Sequence, residues 1–115
     1  MHINLIVIRT KDPKVLAEFY QLMGLEFQYH RHGKGVWHYS ATINNVVFEI
    51  YPLLKSQQSP DQSLRLGFVV DNLDDLIEKL RSQSVKIISA PQSSEWGYFA
   101  VISDPDGRKI ELTES

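Results

Sequence analysis

The stretch "DPDGRKIEL", Asp104–Leu112, joins a tight turn to a strand. Pro105 and Gly107 take clear turn roles. The strand carries one acid, Glu111, between Ile110 and Leu112. Successive side chains on a strand point to opposite faces, so Glu111 points away from the face its apolar neighbours bury. Upstream, "FEIY" (Phe48–Tyr51) lies over "IELT" (Ile110–Thr113), which makes Glu49 the counterpart of Glu111.

Working outward from these two acids gives the same order twice. "HINLIVI" (His2–Ile8) is β-branched and apolar and reads as a strand. In "DPKVLAEFYQLMG", Asp12 is a helix cap and Pro13 suits the first turn, while Val15, Leu16, Phe19, Leu22 and Met23 recur at helical spacing up to Gly24. "LEFQYHRH" and "VWHYSATI" read as strands joined at Gly33–Gly35, and "NNVVFEIYPL" as a turn and a third strand. After a polar, proline-containing linker, "LRLGFVVD" is a strand and "NLDDLIEKLRSQS" a helix capped by Asp71 or Asn72. "VKIIS" is then a short strand, "APQSSEWG" a loop, and "YFAVIS" and "RKIELTE" strands joined by the "DPDG" turn.

Strand, helix and three strands therefore occur twice, as a weak internal repeat. His2-Ile3-Asn4-Leu5 aligns over Arg65-Leu66-Gly67-Phe68. The predicted organisation is one domain, with a first module over about 1–53, a linker over about 54–63 and a second module over about 64–115. Alternation assigns Ile3, Leu5 and Val7, then Val46, Phe48 and Ile50, to faces covered by helices. Leu66, Phe68 and Val70, then Ile110 and Leu112, do the same in the second module. His2, Glu49, Arg65 and Glu111 fall on the opposite, mixed faces.

Composition bounds the function. The 115 residues are 43% hydrophobic and 23% charged, as in an ordinary globular domain. A formal net charge of −2 gives no basic field for nucleic acid or an anionic membrane. The absence of cysteine excludes disulfides, thiolate nucleophiles and cysteine-ligated metal sites. No apolar run is long enough to span a bilayer. The chain starts on a strand-like run without a charged leader, and the expected location is cytoplasmic.

Four blocks now carry a resemblance: "HINLIVIRTKDPKVLAEFYQLMGLEF", "VVFEIYP", "LGFVVDNLDDLIEKL" and "WGYFAVISDPDGRKIEL". Over essentially its whole length the chain resembles the vicinal oxygen chelate superfamily, also called the glyoxalase/bleomycin-resistance/extradiol-dioxygenase superfamily, and its glyoxalase I-like (lactoylglutathione lyase-like) members. The resemblance implies an α+β fold of two βαβββ modules, forming a cupped mixed sheet around a pocket with helices outside. It also implies a divalent metal (zinc, nickel or manganese), with His2, Glu49 and Glu111 at three ligand positions. The fourth position, normally histidine, falls on Arg65. A guanidinium offers no lone pair to a metal and suits a carboxylate or an anionic substrate instead.

Two functions follow. One is a glyoxalase-like lyase or isomerase, with Glu111 or Glu49 as general base beside a metal that stabilises an enediolate. Asn4, Tyr51, Arg65 and Trp96 would contact its substrate. The other is a metal-free small-molecule-binding or antibiotic-sequestering protein of the bleomycin-resistance type, in which Arg65 pairs with Glu49 or Glu111. The resemblance implies a homodimer in either case. His30 and His32 share a strand face, as metal ligands or as decoration of a solvated hairpin. Trp37 and Tyr39 are candidates for pocket walls or for packing.

Overall fold

A computed structural model describes all residues, 1–115. The chain is α+β and divides into two compact units, Met1–Asp61 and Gln62–Ser115. Each unit is a βαβββ module with a four-stranded mixed sheet. No helix is long and apolar enough to cross a membrane.

Unit one contains β1 (Leu5–Thr10), α1 (Pro13–Gln21), β2 (Gln28–His30), β3 (His38–Ile43) and β4 (Val46–Pro52). The sheet order is β1-β4-β3-β2, with β1 parallel to β4 and the other pairs antiparallel. A parallel pair cannot be closed by a hairpin, and α1 supplies the crossover. Asp12 caps α1 by accepting from the Val15 amide, and Pro13 occupies the first turn, where no backbone donor is needed. Leu16, Ala17, Phe19 and Tyr20 are buried, and Tyr20 meets Phe48 edge to face with ring centroids 5.1 Å apart. Val15, expected on this face, is exposed.

The face of β1 is the reverse of the expectation. Ile6 and Ile8 pair with Phe48 and Ile50 and share their helix-covered side, whereas Leu5 and Val7 pair with Val47 and Glu49 and are exposed. Every residue of Leu5–Ile8 is apolar, so alternation carries no signal there, and the register with β4 decides. The repeat also shifts. Glu49 faces Val7 and Glu111 faces Gly67, so Leu5, rather than His2, is the counterpart of Arg65.

Unit two contains β5 (Leu66–Val70), α2 (Leu73–Ser82), β6 (Ile87–Ser94), β7 (Gly97–Ser103) and β8 (Lys109–Glu114), with sheet order β5-β8-β7-β6. Asn72 caps α2 by accepting from the Asp75 amide. Leu73, Ile77 and Leu80 bury against Ala100, Ile102, Ile110 and Leu112. Here the expected faces of β5 and β8 hold, since Leu66 and Phe68 pair with Ile110 and Leu112. The predicted loop "APQSSEWG" is a strand as far as Ser94. Pro91 is tolerated because β6 is an edge strand and its pairing with β7 is broken by register shifts.

The "DPDG" turn is held by Asp104. Its Oδ1 accepts from the amides of Asp106 and Arg108, and its Oδ2 accepts from Arg108 Nη1 at 3.1 Å. Arg108 Nη1 also donates to Asp106 at 2.8 Å. Asp104 and Arg108 are both buried. Burial alone would lower the Arg108 pKa, but the two carboxylates outweigh it and raise the value. Gly107 supplies the positive φ of +94° that closes the turn.

Removing one partner of a buried ion pair costs about 3–5 kcal/mol, whereas losing a helix cap costs about 1 kcal/mol. Urea unfolding should therefore show Asp104→Ala destabilising the protein several times more than Asn72→Ala.

Candidate functional site

Each unit has one sheet face covered by its helix and one mixed face that carries its acid. The two mixed faces are built differently.

In unit one, Glu49 belongs to a cluster with His30, His32 and His38. The antiparallel register sets His30 opposite His38, and Glu49 lies two residues from Tyr51 on the same face of β4. His38 is 1% exposed. Its Nε2 lies 3.2 Å from Glu49 Oε2, and its Nδ1 lies 2.9 Å from the Val36 carbonyl oxygen. The Tyr51 ring stacks on the His38 ring at 4.1 Å and 9°. Arg9 sits over the other part of this row, 4.9 Å from the Tyr51 ring centre, and donates to the Pro52 carbonyl. Burial and the negative charge of Glu49 raise the Tyr51 pKa, partly offset by Arg9. The hairpin carrying His32 turns sharply, with the Gly35 amide donating to the His32 carbonyl. A Cβ on Gly35 would lie 2.9 Å from that oxygen, so only glycine fits the close approach.

In unit two, Glu111 is exposed and lines an open cavity of about 360 Å³ with Ser94, Trp96, Phe99 and Thr113. The β6–β7 turn presents Trp96, whose amide donates to Ser94 Oγ, while Ser94 Oγ donates to the Gly97 carbonyl. Trp96 is 84% exposed. Gly67 stands opposite Glu111 on β5, where a Cβ would only touch the Glu111 side chain at about 4.0 Å. The cavity thus combines a solvated carboxylate, two aromatic rings and two small hydroxyl groups.

The residues singled out from the sequence fall as follows. Glu49 and Tyr51 come together in the histidine cluster, and Glu111 and Trp96 come together in the cavity. His2 lies ahead of β1 and is exposed, and it takes no part in the Glu49 cluster. Asn4 is exposed, and its carbonyl accepts from the Val47 amide, which extends the β1–β4 ladder. Arg65 is exposed just ahead of β5 and makes no ion pair with Glu111. Trp37 and Tyr39 are packing residues. Tyr39 pairs with Ile50, and the Tyr29 ring stacks on Trp37 at 5.1 Å and lies tilted against Tyr39 at 4.6 Å. The sequence carries His38 in the same stretch as His30 and His32, but only those two were expected to act together. The signal for His38 is the hairpin register that brings it opposite His30, across the seven residues Arg31–Trp37.

A sequence profile of the Glyoxalase/Bleomycin resistance protein/Dioxygenase superfamily matches residues 2–112. No curated protein matches the chain. Among solved structures, TnmS3, an antibiotic binding protein from Streptomyces sp. CB03234, is 23% identical with a TM-score of 0.77, covering 99% of this chain and 95% of its own. A glyoxalase/bleomycin resistance protein/dioxygenase family enzyme from Burkholderia phytofirmans PsJN is 19% identical with a TM-score of 0.77, covering 99% and 98%. An integron cassette protein of V. cholerae is 22% identical with a TM-score of 0.74, covering 99% and 94%. At these identities the likeness is one of fold.

The exposure of Trp96 is directly measurable. In a Trp37→Phe variant, the remaining emission should be red-shifted and quenched by acrylamide nearly as readily as that of free tryptophan. A blue, protected emission would place Trp96 in a packed environment.

Proposed function

Because the chain belongs to the glyoxalase/bleomycin-resistance/dioxygenase superfamily, we propose that it is a small-molecule-binding protein of the antibiotic-sequestering kind. The observation that carries this reading is the cavity on the mixed face of unit two, where Glu111 stands beside Trp96 and Phe99. An aromatic wall with one convergent charged group is the chemistry of a small-molecule site. A free carboxylate next to exposed rings suits a ligand with a planar or apolar body and a protonated amine. The fold is shared with an antibiotic binding protein, which supports the same reading.

Donor chemistry argues against a catalytic metal at the positions implied by the superfamily resemblance. Arg65 has no lone pair for a cation. Its register counterpart in unit one is Leu5, which has none either. The carboxylates Glu49 and Glu111 remain, with His2 ahead of the first strand. This donor set does not fit a glyoxalase-type metal centre, and the lyase reading loses the electrostatic stabilisation an enediolate requires.

The superfamily resemblance implies a homodimer, and the exposed apolar side chains of Leu5 and Val7 on β1 suit burial by a second copy of the chain.

Tryptophan fluorescence titration of the Trp37→Phe protein with amine-bearing aromatic antibiotics, bleomycin among them, should show saturable quenching. Glu111→Gln should weaken binding of the cationic ligands about tenfold, the loss of a charge-assisted hydrogen bond. Sustained consumption of a 2-oxoaldehyde, with or without glutathione, would overturn the binding reading in favour of a lyase. Multi-angle light scattering should return twice the chain mass, and a monomer at micromolar concentration would remove the dimer.

A further inference from the structure

Unit one holds a constellation that ligand binding at Glu111 does not use. His30, His32, His38 and Glu49 each offer one ligand atom, and the four atoms lie within 4.8 Å of one another. We infer that these four side chains form a transition-metal site, of the kind that takes zinc, nickel, cobalt or copper.

The lone pairs carry the argument. The Val36 carbonyl oxygen can only accept, so His38 Nδ1 at 2.9 Å carries the proton and donates it. In a neutral ring Nε2 then keeps its lone pair, aimed at Glu49 Oε2 3.2 Å away, whereas in a protonated ring the same nitrogen donates to that carboxylate. Two lone pairs facing each other at this distance need a positive centre between or beside them, either a proton or a metal ion. The Nδ1–H to backbone carbonyl bond is the outer contact that orients metal-binding histidines. His30 supplies an independent sign: its Nε2 is buried and has no hydrogen-bond partner. The His30 and His38 ring centres are 4.7 Å apart, and those of His30 and His32 are 5.0 Å apart.

The dimensions fit. Bonds of about 2.0–2.1 Å to imidazole and carboxylate put tetrahedral ligand atoms roughly 3.3 Å from one another. The His38–Glu49 edge already has that length at 3.2 Å. Closing the other edges moves His32, which is exposed on the glycine-flanked hairpin and least restrained of the four. Three neutral imidazoles and one carboxylate suit borderline divalent ions rather than magnesium or calcium, which prefer oxygen. With four protein donors the site is closed, which is the form of structural rather than catalytic zinc. Bound metal would join β3 and β4 to the β2 hairpin.

The site is separate from the four positions of the superfamily resemblance and shares only Glu49 with them. It can therefore be tested apart from the ligand-binding proposal. Tag-free protein, stripped with chelator, is titrated with Zn²⁺ by calorimetry and with Co²⁺ by visible absorption, and melted with and without Zn²⁺. The expected result is one ion per chain, a tetrahedral cobalt spectrum and a higher Tm, because an ion that binds only the folded state stabilises it. His30→Ala and His32→Ala, both clear of the buried core, should each weaken binding at least tenfold, since even outer partners of a ligand are worth about 10–100-fold. Glu49→Gln should do the same, while His2→Gln and Glu111→Gln should leave affinity unchanged. Failure to bind Zn²⁺ or Co²⁺ overturns the proposal and leaves a proton between His38 and Glu49. Binding that survives His30→Ala and His32→Ala, or that is lost with His2→Gln, overturns it equally.

Discussion

The parallel pairing of the first and last strands of each unit is the constraint on which the rest depends. β1 lies beside β4 and β5 beside β8, so each last strand has a neighbour on both sides. A parallel neighbour requires a crossover, the helix that supplies it must cover one face, and the other face is left for polar chemistry. An acid in the middle of the last strand is then held by ladders on both sides. Glu49 lies between Val7 and Ser40, and Glu111 between Gly67 and Val101. Neither carboxylate can leave its face without a slip of two ladders at once.

How far the sequence could be read follows from the same constraint. The helices, the Asp12 cap, the second cap to within Asp71 or Asn72, the twofold βαβββ order and the correspondence of Glu49 with Glu111 depend on local patterns, and these were legible. The face of β1 was not. Leu5–Ile8 are apolar on both sides, and only pairing with Phe48 and Ile50 selects Ile6 and Ile8 for the core. The same ambiguity misaligned His2 with Arg65. The start of β6 was legible in "VKIIS", but its continuation to Ser94 was hidden because Pro91 marks a break in most strands yet is harmless on an edge. His38 was hidden for another reason: its neighbours His30 and Glu49 come from two other strands, and no spacing along one strand reveals them.

The two units use one frame for different environments. Opposite Glu111 stands Gly67, with no side chain to cover the acid, and the adjacent turn lifts Trp96 into solvent. Opposite Glu49 stands Val7, while His38 and the Tyr51 ring close over its other side. One acid is therefore left open to solvent, and the other is partly withdrawn from water. The shared module topology fixes the position of the acid, and its cross-strand neighbours decide its environment.

Two buried polar groups in this protein look alike by burial and differ in their accounting. Around Asp104 and Arg108, each carboxylate oxygen of Asp104 accepts from a donor within the same turn, so burial of that carboxylate is compensated. Around His38 the balance runs the other way. The Nδ1 donor is matched by the Val36 carbonyl, Nε2 meets a carboxylate oxygen of Glu49, and His30 Nε2 is buried with no hydrogen-bond partner. Buried polar nitrogens without partners are costly. The unpartnered His30 nitrogen, rather than the count of histidines, is what marks the unit-one cluster as a candidate site.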